Sequence, residues 1–127
     1  GVARQHRERV PPGRHGELQA LLAEFRRQLD AYGAQTHKHY FLTAAMPASQ
    51  ELASKIQIKK VARYLDWANL MTYDYHGTWE STTNFDAPLY LSADDPSKDK
   101  NYDVDDTVRY YLAQGMPAKK INLGLPF

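Results

Sequence analysis

Four residues in one short stretch carry side chains suited to chemistry on a neutral, ring-shaped ligand: Met71, Tyr73, Asp74 and Trp79. A phenol and a carboxylate supply a donor and acceptors, an indole supplies a flat apolar face, and a thioether fills irregular apolar space. Around them lies the most aromatic part of the chain. Seven of its fifteen aromatics, Tyr64, Trp67, Tyr73, Tyr75, Trp79, Phe85 and Tyr90, fall between positions 64 and 90. Pyranose C–H faces stack on rings while equatorial hydroxyls seek hydrogen bonds, so this mixture points to a sugar. Each residue also has a plainer competing role: core filling for Tyr73, packing for Met71, a turn cap for Asp74, a loop anchor for Trp79.

Other chemistries find less support. Cysteine is absent, which excludes disulfides, thiolate metal sites and a cysteine nucleophile. His6, His15, His37, His39 and His76 show no metal-ligand spacing and read as structural or exposed, so no metal and no cofactor is expected. Glu17 with Glu24, and Glu80 with Asp86, would make two-carboxylate pairs, but neither has supporting context. The run Asp94, Asp95, Asp99, Asp103, Asp105 and Asp106 lacks the D-x-D-x-D-G pattern of a calcium loop and reads as a solvated face. Sixteen Lys and Arg against fifteen Asp and Glu leave a charge of +1, too little to gather nucleic acid. No apolar run approaches the roughly 20 residues of a membrane span, and the basic start has no apolar stretch behind it to make a signal peptide.

The elements that must position the four residues follow from periodicity. Residues 1 to 16 have no apolar period and read as a loop. Leu18, Leu21, Leu22, Phe25, Leu29 and Tyr32 make one helical stripe, with Arg26, Arg27 and Asp30 on the wet face and Gly33 as the stop. His39 to Met46 and Trp67 to Tyr73 are short apolar runs of strand length, the first without strict alternation and hence expected to be buried on both faces. Between them Ile58, Val61, Ala62 and Leu65 mark a short amphipathic helix. Residues 75 to 102 form a long polar connection, of a length that usually serves function. Asp103 is an N-cap candidate with Asp105 and Asp106 in the first turn, Val104, Val108, Tyr111 and Leu112 form the stripe, and Gly115 with Pro117 ends that helix. Ile121 to Phe127 is a third strand.

Helix and strand alternate, and each crossover is long enough to return the chain to the same end of a sheet, so the strands are expected to be parallel and the class α/β. A doubly wound sheet would bring a glycine-rich ligand loop, and none occurs. A (β/α)8 barrel needs about 250 residues, so three strands would be a partial barrel, in line with a chain that begins on Gly1 and stops at Phe127, straight after an apolar run. In such barrels chemistry sits at the C-terminal ends of the strands. By period two, Asn69, Met71 and Tyr73 share a face, which sets a thioether beside a phenol at the barrel mouth. Asp74 has the opposite parity, where the pleat ends, and spacing does not fix its direction.

The run Leu65-Asp66-Trp67-Ala68-Asn69-Leu70-Met71-Thr72-Tyr73-Asp74-Tyr75-His76-Gly77-Thr78-Trp79-Glu80 closely resembles the sixth-strand motif of chitinases in glycoside hydrolase family 18. Leu42 to Ala48 is similar to that family's fifth strand, Ala87 to Tyr90 to the loop after the sixth, and Gly115 to Phe127 to the seventh. Four blocks in order, over roughly residues 17 to 127, make the resemblance specific. It implies a single catalytic barrel of which residues 1–127 are a part, acting on β-1,4-linked N-acetylglucosamine polymers with retention. It also implies a substrate-assisted route, in which the sugar's acetamido oxygen attacks the anomeric carbon. By the same resemblance Tyr73 would donate its hydroxyl to the acetamido group, and Asp74 would hydrogen-bond sugar across the cleavage point. Met71 would line the floor, and Trp79 would stack on a sugar beyond.

The resemblance has departures. The family's D-x-x-D-x-D-x-E, whose final Glu is the general acid, does not occur in these residues, nor does the Tyr-Gly-Arg that follows the seventh strand. The expectation is that the acid lies a few residues upstream of Gly1 and that the 127 residues are inactive alone. Residues 1 to 16 match poorly, and Phe85-Asp86 stand where members often carry a different pair. Chitin or chito-oligosaccharides are the implied partners, with no nucleic acid, no membrane, a monomeric parent and an extracellular location. The alternative is a chitin-binding lectin of the same fold whose acid is replaced, since a binding cleft needs Tyr73 and Trp79 but not the Glu.

Overall fold

A computed structural model describes residues 16–127. The loop expected over residues 1 to 16 lies, but for Gly16, outside the described residues. Helix α1 runs Glu17–Thr36, strand β1 Thr43–Pro47, the short helices α2 and α3 Gln50–Ala53 and Ile58–Val61, and strand β2 Trp67–Met71. After a long connection containing a 3₁₀ turn at Lys98–Lys100 come α4, Val104–Ala113, a second 3₁₀ turn at Ala118–Lys120, and β3, Ile121–Leu123. The three strands form one parallel sheet in the order β1-β2-β3, with Thr43 opposite Trp67 and Ala68 opposite Ile121. The α/β class and parallel strands are as expected.

One face of the sheet is the core. Met46, Ala68 and Leu70 point into a cluster with Ile58, Val61, Ala62, Leu65, Tyr111 and Met116, so the apolar positions expected of the second helix are all buried. The other face of β1 and β2 stays partly or fully exposed, so β1 alternates rather than being covered on both sides as its composition implied. Three strands do not close on themselves, and on that face the ring of Phe41 lies against Trp67, 5.1 Å between centroids.

Helix α1 departs from its expected orientation. Leu18, Leu21, Phe25 and Tyr32 are exposed, and the docked side is Leu22, Arg26, Leu29 and Gly33, still at 3.6-residue spacing but rotated. Arg26, expected on the wet face, turns in because it has ligands there: its Nη1 donates to Asp66 Oδ2 (3.1 Å) and its Nη2 to the Tyr40 carbonyl (2.9 Å). Nor is Gly33 the stop. The helix continues to Thr36 and ends at His37 in the left-handed region, φ 55°. Gly33 is buried instead, because a Cβ there would run into the Lys38 carbonyl as the chain turns back.

Helix α4 begins as its sequence dictates, with Asp103 accepting from the Asp106 amide at 2.8 Å. It ends with Gly115 at φ +93° and the Met116 amide bonded back to the Tyr111 carbonyl. Leu112, expected in its stripe, is exposed, and Thr107 is buried in the contact face instead. The buried Tyr111 hydroxyl donates to the Pro47 carbonyl (2.7 Å), and Thr107 Oγ1 donates to the Ala48 carbonyl (3.1 Å). These bonds fasten α4 to the C-terminal end of β1, the rim of the site. Burial pushes the Tyr111 hydroxyl well above its ordinary range.

Candidate functional site

The C-terminal ends of β1 and β2 and the loop after β2 enclose an open cleft of about 690 Å³. Met71, Tyr73, Asp74 and Trp79, the four residues singled out in the sequence, all line it, together with Pro47, Ala48, Tyr75, Glu80, Lys100 and Tyr102. Their convergence has a local cause. Strand β2 stops at Met71, two residues short of expectation, because Thr72 leaves the ladder: its amide turns back to the Leu70 carbonyl (2.9 Å) and its Oγ1 donates to the Gly124 carbonyl (2.7 Å).

Tyr73 is thereby carried over the end of β3. A Cβ placed on Gly124 would lie 2.6 Å from Tyr73 Cε1 and 2.7 Å from the Leu70 carbonyl oxygen, so the phenol ring rests on a glycine that the strand backbone also crowds. The Gly124 amide in turn donates to Leu70 (2.8 Å). Among the described residues the Tyr73 hydroxyl and the Asp74 carboxylate have no protein hydrogen-bond partner. Asp74 has φ 55°, a left-handed conformation that Asp tolerates better than most residues, and this turns the chain out of the strand and into the loop.

The loop is anchored from behind. Tyr75 is buried, its hydroxyl 2.6 Å from Thr107 Oγ1 and its amide bonded to the Asp86 carbonyl, and burial pushes the phenol up to about 12. The Val104 and Asp105 amides bond to the Pro88 and Leu89 carbonyls. Two of the acids expected on a solvated face are interior. Asp103 is the α4 cap, and burial raises its carboxyl despite the Asp106 amide bond. Asp95 is closed by the Ser97 amide (2.7 Å), the Ser97 hydroxyl and the Asn84 amide group, which together outweigh burial and hold its carboxyl below the usual range.

Sequence reasoning missed Glu80 and His76. Glu80 lines the cleft, and its Oε2 is 2.7 Å from Nδ1 of a buried His76, which takes the structural rather than the exposed of its two expected roles. The i, i+4 spacing of the pair was the available signal. No group of three or more His, Asp or Glu converges as a metal site among the described residues, and no helix there is long and apolar enough to cross a membrane.

A parallel α/β sheet with aromatic and polar groups gathered where its strands end defines the class: an α/β scaffold with a cleft where barrel-type folds keep their sites. The model for glycosyl hydrolases family 18 matches residues 10–127, and the chain belongs to that family. It is 40% identical over 108 residues to Chitinase 1 of Aphanocladium album, covering 84% of this chain and 25% of that protein. It superposes on chitinase ChiA74 from Bacillus thuringiensis with a TM-score of 0.83 and 43% identity, covering 86% of this chain and 17% of that one. For the Ostrinia furnacalis Group IV chitinase in complex with allosamidin the TM-score is 0.78 and the identity 35%, over 89% of this chain and 29% of that one. The chain thus spans between 17% and 29% of the length of these relatives, and its three strands correspond to part of the (β/α)8 barrel of these chitinases.

Proposed function

We propose that residues 1–127 are part of the single catalytic barrel of a secreted, monomeric chitinase that cleaves β-1,4-linked N-acetylglucosamine polymers with retention, the substrate's acetamido group acting as nucleophile. The observation that carries this reading is the convergence of Met71, Tyr73, Asp74 and Trp79 on one cleft at the strand ends, with the Tyr73 hydroxyl and the Asp74 carboxylate unengaged by protein. The family membership and the chitinase relatives support it.

In this reading Tyr73 donates its hydroxyl to the acetamido group and holds that group in place as its oxygen closes on the anomeric carbon. The rigid seat on Gly124 sets that donor in advance, which is where catalytic hydrogen bonds gain most. Asp74 accepts from the sugar amide and hydroxyls across the cleavage point, Met71 lines the floor, and Trp79 supplies a stacking face beyond. The proton for the leaving oxygen comes from an acid placed upstream of Gly1, so the 127 residues alone turn over no substrate. Tyr73→Phe in the full-length protein is the test. Loss of one transition-state donor is expected to lower kcat by about 10- to 1000-fold, on the order of 1 to 4 kcal/mol, and an unaltered kcat removes Tyr73 from the mechanism.

A further inference from the structure

The turn that carries Trp79 also holds a carboxylate whose surroundings suit a ligand better than packing. The Glu80 side chain is 16% exposed and borders the cleft. Its Oε2 is engaged by Nδ1 of His76, whose side chain is 2% exposed. An ionised carboxylate only accepts, so Nδ1 carries the proton and donates it. The other ring nitrogen, Nε2, is buried with no partner, so this histidine is held in place for Glu80 while its own second nitrogen stays unsatisfied.

The remaining carboxylate oxygen is different. Oε1 has no hydrogen-bond donor within reach among the described residues, and the cation facing it, Lys100 Nζ, stands 3.7 Å away. Lys100 is itself half exposed, with its ammonium 5.6 Å from the Tyr102 ring centre. The turn is closed by the Glu80 amide donating to the Gly77 carbonyl (3.0 Å) and by the His76 bond to Oε2, which leaves Oε1 with the ion pair to Lys100 and no hydrogen bond. The same turn fixes the indole: Trp79 lies against the bare Cα of Gly77, and a Cβ there would run into the ring. An apolar platform and a pre-aimed acceptor therefore ride on five consecutive residues, 76 to 80.

We propose that Glu80 is a sugar-binding residue: while the indole of Trp79 takes the C–H face of a pyranose, Oε1 of Glu80 accepts a hydrogen bond from a hydroxyl of the same ring. His76 is the positioning residue that fixes the carboxylate, and Lys100 offers a donor to the neighbouring hydroxyl. The ligand class is a neutral sugar at the Trp79 end of the cleft. The inference rests on the carbohydrate reading above and adds a hydroxyl-selective contact to it.

The test uses the full-length protein with Glu80→Gln and Glu80→Ala, comparing chitohexaose, long enough to reach Trp79, with a fluorogenic chitobioside. Loss of a charged acceptor is expected to raise KM for the hexamer about tenfold, and for the short substrate several times less. Lys100→Met, at a half-exposed position, repeats the test without risk to the turn and is expected to raise the hexamer KM about threefold. Equal rises on both substrates, or none on the hexamer, overturn the assignment. Should the wild type hydrolyse neither substrate, the hydrolase reading fails, and titration of chitohexaose against tryptophan fluorescence decides the inference alone. About tenfold weaker binding by the Glu80 variants then sustains it, and unaltered binding overturns it.

Discussion

The two ends of the sheet treat their polar groups in opposite ways. At the N-terminal end the charged groups find partners within the protein, the buried Nε of Arg26 excepted: Asp66 takes the Leu42 amide (2.7 Å), Arg26 and His39, Arg26 also reaches the Tyr40 carbonyl, and Lys120 Nζ donates to the Ala62 and Leu65 carbonyls. At the C-terminal end Tyr73, Asp74 and Glu80 line the cleft, and the Tyr73 hydroxyl, the Asp74 carboxylate and one oxygen of Glu80 have no protein hydrogen-bond partners among the described residues. Asp74 is exposed and Tyr73 and Glu80 are partly buried, so these groups stay open to solvent or to a ligand in a concave, aromatic-lined place. In the proposed function the first end stabilises and the second end binds, the division expected of strands in a parallel barrel. Substitutions at one end should therefore move stability with little effect on turnover, and those at the other the reverse.

Gly124 joins the two behaviours, and the largest effect is expected there. In Gly124→Ala the new methyl meets both the Tyr73 ring and the Leu70 carbonyl, and the carbonyl belongs to the ladder and cannot give way cheaply. Overpacking of this kind costs about 1 to 3 kcal/mol of stability, and displacing the phenol by about 1 Å costs roughly 100-fold in kcat. The decisive comparison is the double variant with Tyr73→Phe. If Gly124 acts through the phenol's hydroxyl, most of its effect on kcat vanishes in that background. If the two losses simply multiply, the glycine is only a packing position and the seat under Tyr73 has no catalytic consequence.

Trp79 tests the open end in isolation, with a smaller effect. Its indole is 66% exposed and contacts the bare Gly77, so removal leaves little unsatisfied behind it. Trp79→Ala is expected to raise KM for long chito-oligosaccharides about tenfold, to raise it less for short ones, and to leave the thermal midpoint within about 2 °C of wild type. An equal effect on long and short substrates, together with a drop in the midpoint, would reduce the residue to a loop anchor.

How much of this was legible depends on whether a property was local. The strands, their parallel order and the cap at Asp103 follow from runs and spacings within a few residues, and the four cleft residues lie within nine positions of one another, so a single motif names them together. What the sequence hid was set by contacts across the chain. The docked side of α1 is decided by Asp66, forty residues away from Arg26. The burial of Gly33 is decided by a carbonyl after the turn, and the early end of β2 by the Gly124 carbonyl that takes Thr72. Helix α2 is four residues long, too short for any periodicity to register. Asp95 looks like a member of a solvated acidic run, and Glu80 like half of a carboxylate pair without context, until Ser97, Asn84 and His76 are folded against them.

The smallest effect belongs to the closed end and is read through pH. Burial would raise the Asp66 carboxyl, but the Leu42 amide, His39 and Arg26 outweigh it and hold the group below the ordinary carboxylate range. A carboxyl whose folded pKa is depressed contributes stability that is fully present above its unfolded value and is lost as pH falls through the folded one. The advantage of wild type over Asp66→Asn should thus be about 1 kcal/mol at neutral pH, a few degrees in the thermal midpoint at most, and should shrink steadily below about pH 4. The Asn side chain still accepts from Leu42, so what is removed is the charge facing Arg26 and His39. Turnover at neutral pH should stay within about twofold, because the cluster lies at the sheet's other end from the cleft. A stability gap of the same size at every pH would mean that the carboxylate's shape rather than its charge ties α1 to the strands. A large fall in kcat would mean that the two ends are not separable at all.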